Sequence, residues 1–296
     1  MEIMNREIKI TVLTPTYNRG HLLTKLHESL AKQTIKDFQW LIIDDGSTDD
    51  TAQIVESLPN ETFYMEYKKK ENGGKHTALN FSHPYIKGDL VVIVDSDDYL
   101  TSDAIERILD DWDKYKMDKT ISGLSYLKMT TERVILSKKP PEPYFVSDFI
   151  TYRMNKNISG DQCEVIRSDL FKSFTFPVFP QERFISEGIL WRWIAKRYKT
   201  VYRDIPIYIC EYLEGGLTKS GRKFRMKNPH GMMENCKSFF IPEIHLSVKV
   251  KEAILYDVYA LASQKNVFKC ISESTAPFLC SLFLPVGCAF YIKWSR

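Results

Sequence analysis

Four times in the first 115 residues, a short, largely apolar run gives way to a longer stretch with apolar side chains three and four positions apart. The runs are "IKITVLT" (8–14), "FQWLIID" (38–44), "TFYMEYK" (62–68) and "DLVVIV" (89–94). The stretches after them are "HLLTKLHESLAKQ", residues 49–58, "GGKHTALNFSHPYI" and "SDAIERILDDWDKY". Leu22, Leu23, Leu26 and Leu30 follow the helical period, so these are read as helices. Ser47 or Thr48 is the expected N-cap of the second helix, and Thr101 or Ser102 that of the fourth. Strand–helix alternation of this kind predicts an α/β fold, a mostly parallel sheet with helices on both faces. The strands are apolar along their length, as strands covered on both sides should be.

After residue 120 the pattern weakens. "ISGLSYLKM" and "RVILS" read as a hairpin, and "PPEPYF" from residue 141 as a break. Residues 186–198 read as a helix, 214–231 as a basic, glycine-containing loop, and the remainder as helical. The expected division is 1–230, a catalytic domain, and 231–296, a helical extension.

A chain of 296 residues that is 44% hydrophobic can bury a large core. Its 41 basic and 38 acidic residues leave a net charge of +3, which argues against a nucleic-acid partner. Six cysteines without a C-x-x-C pair are read as free thiols in a reducing cytosol. The opening "MEIMNREIKI" is too polar for a signal peptide. Near the other end, "APFLCSLFLPVGCAFYI" (276–292) carries no charge and is followed by "KWSR". Three readings fit it. They are a buried helix pair, a segment lying on a membrane face with Lys293, Trp294 and Arg296 at headgroup level, or a span that Pro285 would interrupt. The expectation carried forward is a cytoplasmic protein at the inner face of the membrane, in peripheral contact through 276–294.

The unusual residues cluster at strand ends. The first strand ends in "TPTYN", the second in "DDGSTDD", the third leads to "NGGKH" and the fourth ends in "DSDD". In an open parallel sheet all of these fall on the ligand-binding edge. Asp95, Asp97 and Asp98 repel one another unless a cation offsets them. A hard divalent ion, Mn2+ or Mg2+, held by Asp95 and Asp97 and completed by a substrate diphosphate, fits that pattern. Lys75, after two glycines at a helix start, suits an anion. Other readings of the acids are a calcium loop, which Leu100 contradicts where glycine is needed, a phosphoryl-accepting Asp95, and a solvated acidic turn that caps a helix.

Taken together, "ITVLTPTYNR", "WLIIDDGSTDDT", "ENGGKHTALN" and "GDLVVIVDSDDYL" resemble the family 2 glycosyltransferases of GT-A (Rossmann-like) fold. "GDQCEVIRSDL", "FPQERFISEGILW" and "YLEGGLTKSGRKFRMKNPHG" are similar to a bacterial subgroup that builds surface polysaccharides. The resemblance implies that Thr14, Pro15 and Tyr17 line a nucleotide pocket and that Asp45 accepts a hydrogen bond from the base, uracil. It adds Asn72, Asn80, Lys75, Asp95 and Ser96 as donor contacts and His230 as a third metal ligand. It implies inversion at the sugar, with Glu187 as general base and Glu182 and Asp161 as the other candidates. Trp191 and Trp193 would frame sugar or acceptor. The basic residues Lys219, Arg222, Lys223, Arg225 and Lys227 would meet the diphosphate or a lipid phosphate. A processive Q-x-x-R-W signature is absent, so one sugar per encounter is expected. The partners implied are a nucleotide-sugar donor and a saccharide or polyprenyl-phosphate-linked acceptor. A phosphotransferase or phosphatase at Asp95 and a non-catalytic sugar-nucleotide-binding subunit are the competing functions.

Overall fold

The computed structural model describes residues 7–211 and 217–295. The alternation expected at the N-terminus is present. Strands β1 (Ile10–Thr16), β2 (Phe38–Asp44), β3 (Tyr64–Lys69) and β4 (Leu90–Ile93) alternate with helices α1 (Gly20–Ala31), α2 (Thr51–Ser57) and α3 (Lys75–Ser82). β1 lies between β2 and β4, β2 between β1 and β3, and all three pairings are parallel. Every residue of β1 and β2 is buried, because helices cover both faces. β3 is half-buried and ends in Lys68 and Lys69, charges that suit a sheet edge. Leu23, Leu26 and Leu30 of α1 are fully buried in the core that contains Trp40, Ile42 and Val92.

The second half departs from the expectation of a mostly parallel sheet. Among the described residues the sheet has nine strands and is mixed, adding β5 (Tyr99–Leu100), β6 (Ile121–Thr130), β7 (Tyr144–Ser147), β8 (Gln162–Arg167) and β9 (Lys199–Cys210). β8 runs antiparallel to both β4 and β6, while β6 pairs parallel with β9. β5 and β7 pair antiparallel with β9. The expected hairpin after residue 120 shrinks to a single bridge, Met129 to Ile135, because β6 pairs along its length with β8 and β9 instead. Helix α4 (Ala104–Asp113) begins after Asp103, with Thr101 donating its hydroxyl to the Asp103 carboxylate rather than capping.

The remaining α-helices among the described residues are α5 (Ser168–Ser173), α6 (Gly188–Ala195), α7 (Leu217–Met226), α8 (Pro229–Lys237), α9 (Leu246–Ala262), α10 (Val267–Ser272) and α11 (Pro277–Ser295). The basic stretch read as a loop is helical in α7, kinked at Gly221. Residues 212–216 of that stretch lie outside the described residues.

The chain forms two compact units. The first comprises 1–148, 158–175 and 197–213, and the second 149–157, 176–196 and 214–296. These units do not divide at residue 230, because 149–157 and 176–196 fold with the C-terminal helices. The second unit has its own core, with Met232, Cys236, Tyr256, Tyr259 and Cys280 packed together. All six cysteines are free thiols.

Candidate functional site

Because β1 to β4 are parallel, their carboxyl ends share one edge of the first unit. The loops there are tied to one another. Ser47, expected to cap α2, instead accepts a hydrogen bond from the Asn18 backbone N–H (2.8 Å), and Asn18 Oδ1 accepts from the Thr48 N–H (2.7 Å). Asp49 takes the capping role, accepting from the Thr51 N–H (3.1 Å) and hydroxyl (2.5 Å). Asp44 accepts from the Ser47 N–H (2.7 Å) and from the Tyr67 hydroxyl, so it is a structural residue at the strand end.

Asp45, only 4% exposed, is the hub of the next loop. Its Oδ1 accepts from Lys70 Nζ (2.7 Å) and the Gly73 N–H (3.0 Å). Its Oδ2 accepts from the Gly74 N–H (2.6 Å) and Asn72 Nδ2 (3.1 Å). Gly74 has φ +94°, a conformation that glycine adopts without strain, and this turns its N–H toward the carboxylate. Both Asp45 oxygens are thus in use in holding 70–77. Asn72 also donates to the Asp45 carbonyl (2.7 Å), and this pair of contacts fixes the amide orientation. Asn72 Oδ1 is then buried without a donor among the described residues, an acceptor with spare capacity.

Thr14 is fully buried and its hydroxyl accepts from Trp40 Nε1 (3.0 Å), so its side chain belongs to the core. Pro15 is buried beside it, while Tyr17 is 42% exposed.

The acidic turn after β4 is compensated acid by acid. Lys75 Nζ donates to Asp95 Oδ1 (2.5 Å) and Arg19 to Asp97 Oδ2 (2.8 Å). Asp98 accepts from the Tyr208 hydroxyl (2.7 Å) and the Glu211 N–H (3.0 Å), and the same hydroxyl accepts from the Asp95 N–H (3.0 Å). Tyr208 of β9 therefore pins the turn at two points. Ser96 is buried within it. Burial works against the charge on Asp95, yet Lys75, Lys128 and Arg19 hold its carboxyl below the usual range. Burial and the neighbouring Asp95 push Asp98 up to about 6. Lys128 of β6 lies opposite Tyr208, its ammonium 3.8 Å from the ring centroid. Burial opposes its charge, but Asp95 in particular raises its pKa above the ordinary lysine value.

Asp95 and Asp97 offer hard oxygens of the kind a divalent cation takes. Among the described residues no three Asp, Glu, His or Cys side chains form a closed cage. A cation here would need oxygens from its ligand, which is how sites built on one or two carboxylates and a diphosphate work. The residues fit that group.

Asp161 is exposed just before β8 in the first unit; its charge adds to burial and Asp98 in pushing the Cys210 thiol up to about 12. The other candidates belong to the second unit. Glu187 is the half-buried residue that starts α6, followed by Gly188, whose N–H donates to Ser186 Oγ (3.3 Å). Glu182 is fully engaged. Its Oε1 accepts from the His230 N–H (2.8 Å) and Nδ1 (2.6 Å), and its Oε2 from the Gly231 N–H (2.8 Å). It accepts N–H groups at the start of α8 that have no partner within the helix. His230 stacks on Phe179, and its Nε2 is buried without a partner among the described residues. Trp191 and Trp193 are half-buried.

Sequence reasoning missed Tyr208, Lys128 and Lys70. Lys70 stands in a charged run before "ENGG", and the other two reach the acidic turn only through strand pairing. Arg19 was within reach, as the last residue of the "TYNR" motif.

Residues 11–174 match the family described as Glycosyl transferase family 2. Glycosyltransferase GlyG of Streptococcus pneumoniae is 32% identical over 223 residues, 71% of this chain and 73% of that protein. An uncharacterized glycosyltransferase of Mycoplasma pneumoniae, the MG025 homolog, is 39% identical over 102 residues, and the match spans 34% of its length. Among solved structures, Staphylococcus aureus TarS 1–349 in complex with UDP-GlcNAc superposes with a TM-score of 0.66 at 19% identity, over 97% of this chain and 89% of that one. That is a likeness of fold.

Proposed function

Because the chain belongs to glycosyl transferase family 2, we propose that it moves one sugar from a UDP-linked donor to a saccharide or polyprenyl-phosphate-linked acceptor in surface polysaccharide synthesis. The single observation that carries this reading is the acidic turn. Asp95 and Asp97 follow β4 with Lys75 and Arg19 in contact, on the same edge as the Asp45 clamp. A diphosphate suits such a site: it brings the anionic oxygens that a cation, Lys75 and Arg19 would all engage.

The residue roles follow from chemistry. Tyr17, exposed at the end of β1, stacks on the base. Asp45 is the acceptor for a base N–H, with Asn72 beside it. Asp95 and Asp97 would hold Mn2+ or Mg2+, which when bound would supply positive charge against the diphosphate; among the described residues no third acid, histidine or cysteine joins them, His230 included. Lys75 and Arg19 exchange their carboxylates for phosphate oxygens as the donor binds. The acceptor oxygen bonds to the anomeric carbon from the face opposite the diphosphate, which leaves with the electron pair of the broken C–O bond. Glu187 takes the acceptor proton. Glu182 is a positioning residue that holds His230 and the start of α8. The work takes place in the cytoplasm at a membrane face, with contact through 276–294.

The test is donor binding by calorimetry, with UDP-GlcNAc as the probe, with and without Mn2+, in the wild type and in Asp97→Ala and Glu187→Gln. Asp97→Ala should abolish the cation-dependent part of binding. Glu187→Gln should leave binding intact and lower transfer by roughly 10²–10⁴-fold. Binding indifferent to both cation and Asp97 would sink the reading.

A further inference from the structure

We propose that the outer face of α11, together with the basic α7, is a docking surface for an anionic lipid bilayer on which α11 lies flat. This deepens the membrane contact named above and rests on that reading for its purpose, which is to bring the enzyme to a lipid-linked acceptor.

The helix has two distinct sides. Its inner side is seated on α9. Cys280 and Gly287 are its buried residues, and a Cβ at Gly287 would come within 2.6 Å of the Asp257 Cβ. Its outer side is bare. Phe278 is 80% exposed, Leu282 59%, Val286 40% and Phe290 38%, at four-residue intervals that form one continuous stripe. Pro277, Ser281, Pro285 and Ala289 fill the gaps without a charge. On α10, Phe268 is also exposed (71%). A soluble protein seldom leaves so long an apolar stripe uncovered.

Charge selects the occupant. No acidic residue occurs from Ser274 to the end of the chain, or from Gly215 to Met233. The Arg222 guanidinium lies 5.0 Å from the Trp294 ring, so the basic α7 runs beside the C-terminal turn of α11. Arg222, Lys223 and Arg225 are exposed there, as is Lys293. An apolar stripe with tryptophan and basic residues at its margin is the composition of a helix that rests at the headgroup boundary of anionic lipid.

The same packing decides the orientation. α11 is about 28 Å long, near the thickness of a hydrocarbon core. A bilayer wrapped around it would also submerge α9, which carries Lys249 and an exposed Lys251. Lying flat buries the outer stripe alone.

The experiment is co-sedimentation of the full chain with phosphatidylcholine vesicles and with vesicles containing 30% phosphatidylglycerol. The wild type should bind the anionic vesicles at least tenfold more tightly, and high salt should weaken this. Leu282→Glu combined with Phe290→Glu should lower binding tenfold or more, with an unchanged melting temperature and unchanged calorimetric binding of UDP-GlcNAc. Arg222→Gln with Lys223→Gln should erase most of the preference for anionic lipid. A wild type that stays in the supernatant overturns the proposal, as does full binding by the glutamate variant. A dimer in light scattering that the glutamate variant abolishes assigns the face to a second copy and also overturns it. Failure of UDP-GlcNAc binding with vesicle binding intact would count against the enzymatic reading and leave the docking surface standing.

Discussion

Asp257→Asn should make the protein more stable than the wild type at pH 8 and bring it close to parity at pH 5. Asp257 is fully buried on α9, and neither carboxyl oxygen has a partner among the described residues. Burial pushes its pKa up to about 7. The unfolded chain releases the same proton near pH 4. Between these values the native state binds more protons than the unfolded state, so stability falls as pH rises from about 4 to about 7 and then levels off. From pH 5 to pH 8 the wild type crosses about two pH units of that window, a loss of roughly 3 kcal/mol that asparagine does not suffer. Asp98, also raised, contributes with the same sign in both proteins and cancels in the comparison. The assay is urea denaturation of both proteins at pH 5 and pH 8. The reasoning is refuted if the stability difference between them is the same at both pH values.

Two other predictions concern the loops of the site. Asp45→Ala leaves the Lys70 ammonium and the Gly73 and Gly74 N–H groups without their acceptor, which should cost about 3–5 kcal/mol and expose 70–77 to proteolysis; a wild-type melting temperature and cleavage pattern would refute this. Tyr208→Phe removes the hydroxyl that favours the charged form of Asp98, so the Asp98 titration, followed by carboxyl-carbon NMR, should move up from about 6. An Asp98 that titrates near 4 in the wild type would show that the turn is less buried than described.

Local pattern was enough to determine the first four strands, the helices between them and the edge at which "TPTYN", "DDGS", "NGGKH" and "DSDD" meet. Apolar spacing sets the type of each element, and a parallel order forces every carboxyl end to the same side. The charge on Asp95 and Asp97 was equally legible as something that needed an opposing charge. Which groups meet the turn was not: Lys75 and Arg19 pair with the two acids only in the folded chain, and Lys128 and Tyr208 arrive on β6 and β9, through pairings made over 30 or more positions of chain. That Asp45 also clamps 70–77 was not legible, since the glycine conformation that turns the Gly74 N–H onto it has no signature beyond the residue itself. The antiparallel β8, the interleaved units and the bare outer face of α11 were likewise decided by tertiary packing. A sequence records that residues 276–292 are apolar; only the seating of Gly287 on α9 determines which side of that helix the protein covers and which it leaves exposed.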